Sequence, residues 1–332
     1  MLQFIVRRVL IMIPTILLIS VITFWIIQLP PGDYVTTWAA LAEAEGETVD
    51  LQMLEHLRDY YGLNEPFYVQ YWKWVKKIVS EGDFGVSYYW NVPIVDVIAS
   101  RMAMTLVVSI SSLLFTYVLS IPIGIYSAVH QYSVGDYIAT VIGFIGVATP
   151  NFLLGIILLY ASYKWTGSPI MGLFSVEYIN APWSWDKVVD LLQHLIIPTV
   201  VIGTAGTCGL IRVMRSQMLD EIKRQYVITA RAKGVGPNKL LFKYPVRAAL
   251  NPIVSTIGWS LTTIFSGSTI TAIVLNLQTQ GTVLYRALLG QDMYLAGALL
   301  LILTVLTVIG TLISDILLAW LDPRIRFGRI EA

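Results

Sequence analysis

A chain of 332 residues that is 56% hydrophobic and 13% charged sits far below the roughly 25% charged average of water-soluble domains, so its solvent is a bilayer. The net charge of +1 identifies no partner by itself, because the charges are segregated along the chain. The single Cys208 excludes an internal disulfide and a cysteine-based metal cluster, and reads as a small packing residue in an apolar run.

Six apolar segments reach the roughly 17 to 25 residues that a membrane-crossing helix requires. The first, Val9 to Leu29, follows Arg7 and Arg8 as the core of a secretory signal would. It is too long for one and no small-residue cleavage site follows, so it is expected to stay in the protein. Residues 31–100 are too many for a bare connection. Leu51 to Tyr61 and Val69 to Val79 have helical apolar spacing around the break Gly62-Leu63-Asn64-Glu65-Pro66, which predicts a small extracytoplasmic helical subdomain. Its Trp72, Trp74, Tyr88, Tyr89 and Trp90 either stack on a ligand or partner, or settle at the membrane interface and in the subdomain's own core.

The second and third segments are Met104 to Val129, with Pro122 inside, and Tyr137 to Tyr163, with Pro150-Asn151 inside. The fourth, Leu195 to Ile211, holds Pro198 and a glycine every third residue at Gly203, Gly206 and Gly209, a pattern for close helix approach. A polar stretch follows, residues 212–251, with nine Lys or Arg against Asp220 and Glu221. Within it, Ile228 to Lys233 predicts a short helix closed by Gly234 and Gly236-Pro237, and Asn238 to Leu250 predicts a second.

The fifth segment, Pro252 to Leu277, is rich in hydroxyls and carries no formal charge. Ser260, Thr263, Ser266 and Thr269 either line a polar pathway for uncharged or zwitterionic solutes, or bond back to their own helix. The sixth, Leu295 to Leu321, contains Asp315, an acid deep in an apolar run. It is a pathway candidate, or it pairs with an arginine of the tail 322–332 such as Arg324 or Arg326.

Orientation follows from basic residues. With a cytoplasmic amino terminus, residues 1–8, 130–136, 212–251 and 322–332 lie inside and hold 14 of the 22 Lys and Arg. The loop from Pro30 to Ser100 holds 11 of the 21 acids against four basic residues, which fits the outer face. Both termini are expected inside.

Chemistry is conspicuous by its absence. The sequence contains no phosphate-binding loop, no HExxH and no GxSxG, and His56, His130 and His194 lack metal-ligand spacing. It also shows no voltage-sensor array, no selectivity filter and no inverted repeat of broken helices. The chain reads as a pathway with no engine, not an enzyme, with no cofactor and no nucleic-acid partner.

Several blocks carry a resemblance. In chain order they are FIVRRVLIMIPT, LPPGD (Leu29 to Asp33), YGLNEPFYVQYWKWV (Tyr61 to Val75), GDFGVSY (Gly82 to Tyr88), ATPNF (Ala148 to Phe152), YVITARAKG followed by VRAALNP, and LDPRIRFG (Leu321 to Gly328). The chain resembles permeases of ABC importers, specifically the B-type subunit of the dipeptide and oligopeptide branch. The resemblance implies an all-α polytopic fold, with six transmembrane helices of the type I ABC importer permease. It divides the chain into an amino-terminal helix (1–30), the extracytoplasmic subdomain (31–100) and a permease core (101–332). Implied partners are a homologous second permease subunit, two ABC ATPase subunits and an extracytoplasmic solute-binding protein, in a prokaryotic inner membrane.

The resemblance places Thr229, Ala230, Arg231, Ala232, Lys233, Gly234, Lys239 and Phe242 at the contact with an ATPase. There Ala230 and Ala232 allow close approach, and the cations face an acidic rim. Two departures stand out. Val246-Arg247 replaces the Leu-Pro of the general signature. Where such permeases have Glu-x-x-Phe-x-x-Pro-Gly-x-Gly, this chain has Ala272, Leu275, Gln278, Thr279 and Gly281. With ten tryptophans and the run Ala181-Pro182-Trp183-Ser184-Trp185, oligosaccharide stands beside peptide as the substrate class. A secondary carrier or channel for small polar solutes, without an ATPase, is the alternative reading.

Overall fold

The structure is a computed structural model and describes residues 2–29, 34–44, 50–61, 63–87, 89–258, 260 and 269–321. Its helices, in chain order, are α1 (Leu2–Ile27), α2 (Tyr34–Ala44), α3 (Leu51–Tyr61), α4 (Phe67–Glu81), α5 (Ile94–Val129), α6 (Val134–Ala148) and α7 (Asn151–Thr166). Then come α8 (Trp185–Ile222), α9 (Gln225–Ala232), α10 (Pro237–Lys243), α11 (Pro245–Ser255), α12 (Thr269–Val274), α13 (Gln280–Leu289) and α14 (Met293–Leu321). A two-stranded antiparallel ribbon, β1 (Val86–Ser87) and β2 (Val92–Pro93), precedes α5.

Among the described residues four helices are long and apolar enough to cross a bilayer: Ile5–Ile27 within α1, then α5, α8 and α14. The predicted third segment is not one straight helix. It is α6 and α7, bent by 102° at Thr149-Pro150. Proline has no amide hydrogen and crowds the residue before it, so Thr149 is extended (φ −87°, ψ 120°) and α7 restarts at Asn151. The predicted fifth segment is described only at its ends, in α11 with residues 256–258 and 260, and in α12.

The chain divides into two compact units, Leu10–Ala103 with Thr279–Leu306, and Met1–Val9 with Met104–Gln278 and Thr307–Ala332. In the first, Asp50 accepts from the Gln52 amide at 3.0 Å to open α3, and Pro66 precedes α4, which closes on Gly82 at φ +66°. The two helices predicted in 31–100 are both present, with α2 in addition. The core joins Phe24, Trp74, Ile94, Val283, Leu295 and Leu299. Asp292, fully buried, caps α14 by accepting from Leu295 N at 3.1 Å and holds the ribbon by accepting from Ser87 Oγ at 2.6 Å.

In the second unit α8 is central. Thr116 Oγ1 donates to Gly203 O at 3.0 Å and Ser120 Oγ to Thr207 O at 3.0 Å, fastening α5 to α8. A Cβ on Gly203 would come within 2.6 Å of the Phe115 ring, whereas Gly209 faces open space. Among the described glycines, Gly258 makes the tightest approach to another backbone: a Cβ there would lie 2.6 Å from the Gly310 carbonyl carbon of α14. Backbone cannot swing aside as a side chain does. Gly258→Ala is therefore expected to destabilise by about 1–3 kcal/mol, while Gly209→Ala is neutral or slightly stabilising. Thermal unfolding of the two variants in the same detergent checks the contrast.

Candidate functional site

The basic segment folds as a small two-helix unit where α8 ends. Glu221 secures the turn, accepting from the Tyr226 hydroxyl and pairing with Arg224 at 3.6 Å. Partial burial and that carboxylate push the Tyr226 phenol up to about 12. The inner face of α9 gives Val227 and Ala230, which meet Leu240 of α10, with Val235 and Tyr244 packed around them. Ala230 is 6% exposed. Its small side chain thus lets α9 meet α10 inside the unit, while Ala232 is the small residue left on the surface.

Gly234 adopts φ +76°, a conformation that L side chains rarely enter, and its amide donates to Arg231 O at 3.0 Å to end α9. Pro237 then opens α10 at a position where its missing amide hydrogen costs nothing. The helix that follows, α11, ties this unit to the long helices in two places. Ala249 and Ile253 of α11 pack fully buried with Met214 and Met218 of α8. Arg247 Nε donates to Leu321 O at 3.0 Å, at the carbonyl end of α14. What remains outside is a ridge of Ile228 and Phe242, 48% and 61% exposed, flanked by exposed Thr229, Arg231, Ala232, Lys233 and Lys239.

An ion pair with a buried carboxylate lies farther up α8. Arg215 on α8 forms a two-pronged pair with Asp136, Nε to Oδ1 at 2.9 Å and Nη2 to Oδ2 at 2.8 Å. Asp136 is 2% exposed and lies in the first turn of α6, capped by Ser133, while Tyr132 N donates to its Oδ2 at 2.9 Å. Sequence reading missed the pair. The spacing of Ser133 and Asp136 is that of a capping box and is the one local signal available.

The pathway candidates fall in different places. Ser260 is half-buried, 3.4 Å from the Tyr117 hydroxyl, which also lies 3.0 Å from Thr256 Oγ1. Thr269 begins α12, half-buried. Thr263 and Ser266 lie outside the described residues, as do Arg324 and Arg326. Asp315 meets Arg8, Nη1 to Oδ2 at 3.1 Å, so among the described residues a cation of α1 faces it. Ser255 bonds back to Asn251 O at 2.8 Å, the self-satisfying use of a helical hydroxyl. Trp183 lies against Phe174, 6.1 Å between centroids, with Lys187 Nζ 5.3 Å from its ring, while Trp185 is 79% exposed.

The family of binding-protein-dependent transport system inner membrane components matches residues 120–327, and its amino-terminal counterpart matches residues 1–111. The chain belongs to this family. The oligopeptide transport system permease protein AppB of Bacillus subtilis is 36% identical over 98% of this chain and 100% of its own length. The glutathione transport system permease protein GsiC of Escherichia coli K12 is 30% identical over 98% of this chain and 100% of its own. A MetNI methionine ABC transporter chain in an inward-facing conformation superposes with a TM-score of 0.52 at 16% identity, covering 68% of this chain and 96% of that one. The fold is that of the type I ABC importer permease. As a member of its family the chain is a multi-pass membrane permease subunit rather than an enzyme.

Proposed function

We propose that this permease forms half of a peptide pathway driven by ATP hydrolysis on partner subunits. A homologous second permease completes the pathway, one of two ABC ATPase subunits grips the ridge of α9 and α10 while the other grips the second permease, and an extracytoplasmic binding protein delivers the solute. The basic segment and both termini lie in the cytoplasm, an orientation that the distribution of Lys and Arg supports. The observation that carries this reading is mechanical. The α9–α10 unit has its own core and a glycine stop, and it continues through Leu241 and α11 into attachments on α8 and α14, so a push on its outer ridge moves long helices instead of bending a loop.

Directional transport requires that ATP and solute favour the two states of the pathway differently, which is the content of alternating access. Ser260 and Thr269, with Thr263 and Ser266 between them, are offered as pathway hydroxyls. Peptide is favoured over oligosaccharide by the names of the full-length relatives. Trp183, the best sugar-stacking candidate, already has Phe174 and Lys187 against its ring. The test is calorimetric titration of the cognate binding protein with oligopeptides and oligosaccharides, followed by uptake of the tighter ligand in cells with and without this chain. Peptide binding and ATP-dependent uptake are expected. Exclusive sugar binding would overturn the substrate, and uptake indifferent to ATP would overturn the drive.

A further inference from the structure

The carboxyl end of α1 carries α4 against its side. Phe24 is the hub, with ring centroids 5.4 Å from Phe67, 5.7 Å from Tyr71 and 5.3 Å from Trp74. Two polar contacts fix the rotation of α4 about its axis. The Ser20 and Tyr71 hydroxyls bond at 2.7 Å, and Gln28 Nε2 donates to Gln70 Oε1 at 2.9 Å. At about 100° per residue, the docked face of Phe67, Gln70, Tyr71 and Trp74 leaves two flanks of opposite chemistry. Tyr68, Trp72, Val75 and Val79 form one, with Tyr68, Trp72 and Val79 at 71%, 65% and 80% exposure. Lys73, Lys76, Lys77 and Ser80 form the other.

The same two contacts show which way each flank looks. Ser20 and Gln28 are about 12 Å apart along α1, with Ser20 inside the apolar span and Gln28 at its end. Tyr71, on the aromatic side of the docked face, reaches the deeper Ser20, and Gln70, on the lysine side, reaches Gln28. The aromatic flank therefore faces hydrocarbon and the lysine flank faces the membrane surface. Away from the face that holds α4, α1 exposes Leu18, Ile22 and Trp25, the lipid-contacting surface that a spanning helix must have.

We propose that α4 is an interfacial helix. Its Tyr68, Trp72 and Val79 seat in the headgroup–acyl boundary of the leaflet where α1 ends, with Lys76 toward lipid phosphates. Amphipathic aromatic rings gain most at that boundary, and a lysine on the outer flank adds attraction to anionic headgroups. The helix is then a collar that fixes the depth and tilt of α1.

Spin labels read this directly. In a Cys208→Ser background of the full chain, assembled with its partner subunits in liposomes, single cysteines are placed by Trp72→Cys, Val79→Cys and Lys76→Cys. Collisions with oxygen and with a nickel chelate are then compared. Labels at 72 and 79 are expected to favour oxygen over nickel by about threefold or more relative to the label at 76. Equal nickel access at 72, 79 and 76 would put the flank in water, and low access to both reagents would put it under another protein; either result overturns the proposal. Should the Trp72 variant fail to accumulate, Val79, 80% exposed, gives the reading alone.

Discussion

Phe242→Asp is expected to abolish ATP-driven uptake while leaving folding intact, and Ile228→Asp to do nearly the same. Both side chains point away from the core of the α9–α10 unit, so a charge there costs the free chain within about 0.5 kcal/mol. At an apolar contact with a partner the same charge is buried against it. Loss of a hot-spot contact of about 2–4 kcal/mol lowers affinity by roughly 30-fold to 1,000-fold. The measurements are co-purification of the ATPase subunits and solute-stimulated ATP hydrolysis, each beside the melting temperature of the variant. Uptake at the parental rate from Phe242→Asp would remove the ridge from the coupling contact.

Ala230→Asp would silence transport too, but it puts a charge into the unit's own core and cannot separate misfolding from uncoupling. Gly234→Val lies between these cases. Its Cβ would meet nothing within 4 Å, yet φ +76° strains any L side chain by about 1–2 kcal/mol, so the end of α9 shifts while the long helices stand. Partial uncoupling with a small drop in melting temperature is the expected pattern.

Much of this was legible in the sequence because it is written locally. Spans follow from runs of apolar residues, α3 and α4 from periodicity around Gly62 and Pro66, and the end of α9 from Gly234. What local pattern cannot give is which face of a short helix is already taken. Ala230 and Ala232 are equivalent in sequence, and only the arrival of Leu240 from α10 distinguishes them. The third span shows the complementary failure. Its hydropathy is continuous across Pro150, so composition sees one segment where backbone sterics make a 102° corner. Asp315 stands out in the sequence as an intramembrane acid, but Arg8, which meets it, is more than three hundred positions away.

The pair of Asp136 and Arg215 was the least legible feature of all, and its removal is the second large expected effect. Arg215→Ala leaves a carboxylate that is 2% exposed with the Tyr132 amide as its remaining strong donor. Removing one partner of a buried pair costs about 3–5 kcal/mol, and the partial exposure of Arg215 brings the expectation to the lower end. Arg215→Lys keeps the charge and loses the two-pronged geometry, so it should fall between the parent and the alanine variant. Asp136→Asn combined with Arg215→Gln removes both charges and should recover much of the stability.

Transport need not recover with it. Arg215 sits on α8 close to the start of the basic segment, and Asp136 sits at the start of α6, so the pair joins α8, the helix that runs into the ridge-bearing unit, to the bent pair α6–α7. A neutral pair can restore packing without restoring a stiff, oriented link between the two. Thermal unfolding and ATP-driven uptake per folded molecule, measured together on the single and double variants, distinguish the roles. Parental stability in Arg215→Ala would show that the carboxylate has found another partner. A double variant that recovers uptake in step with stability would reduce the pair to packing alone.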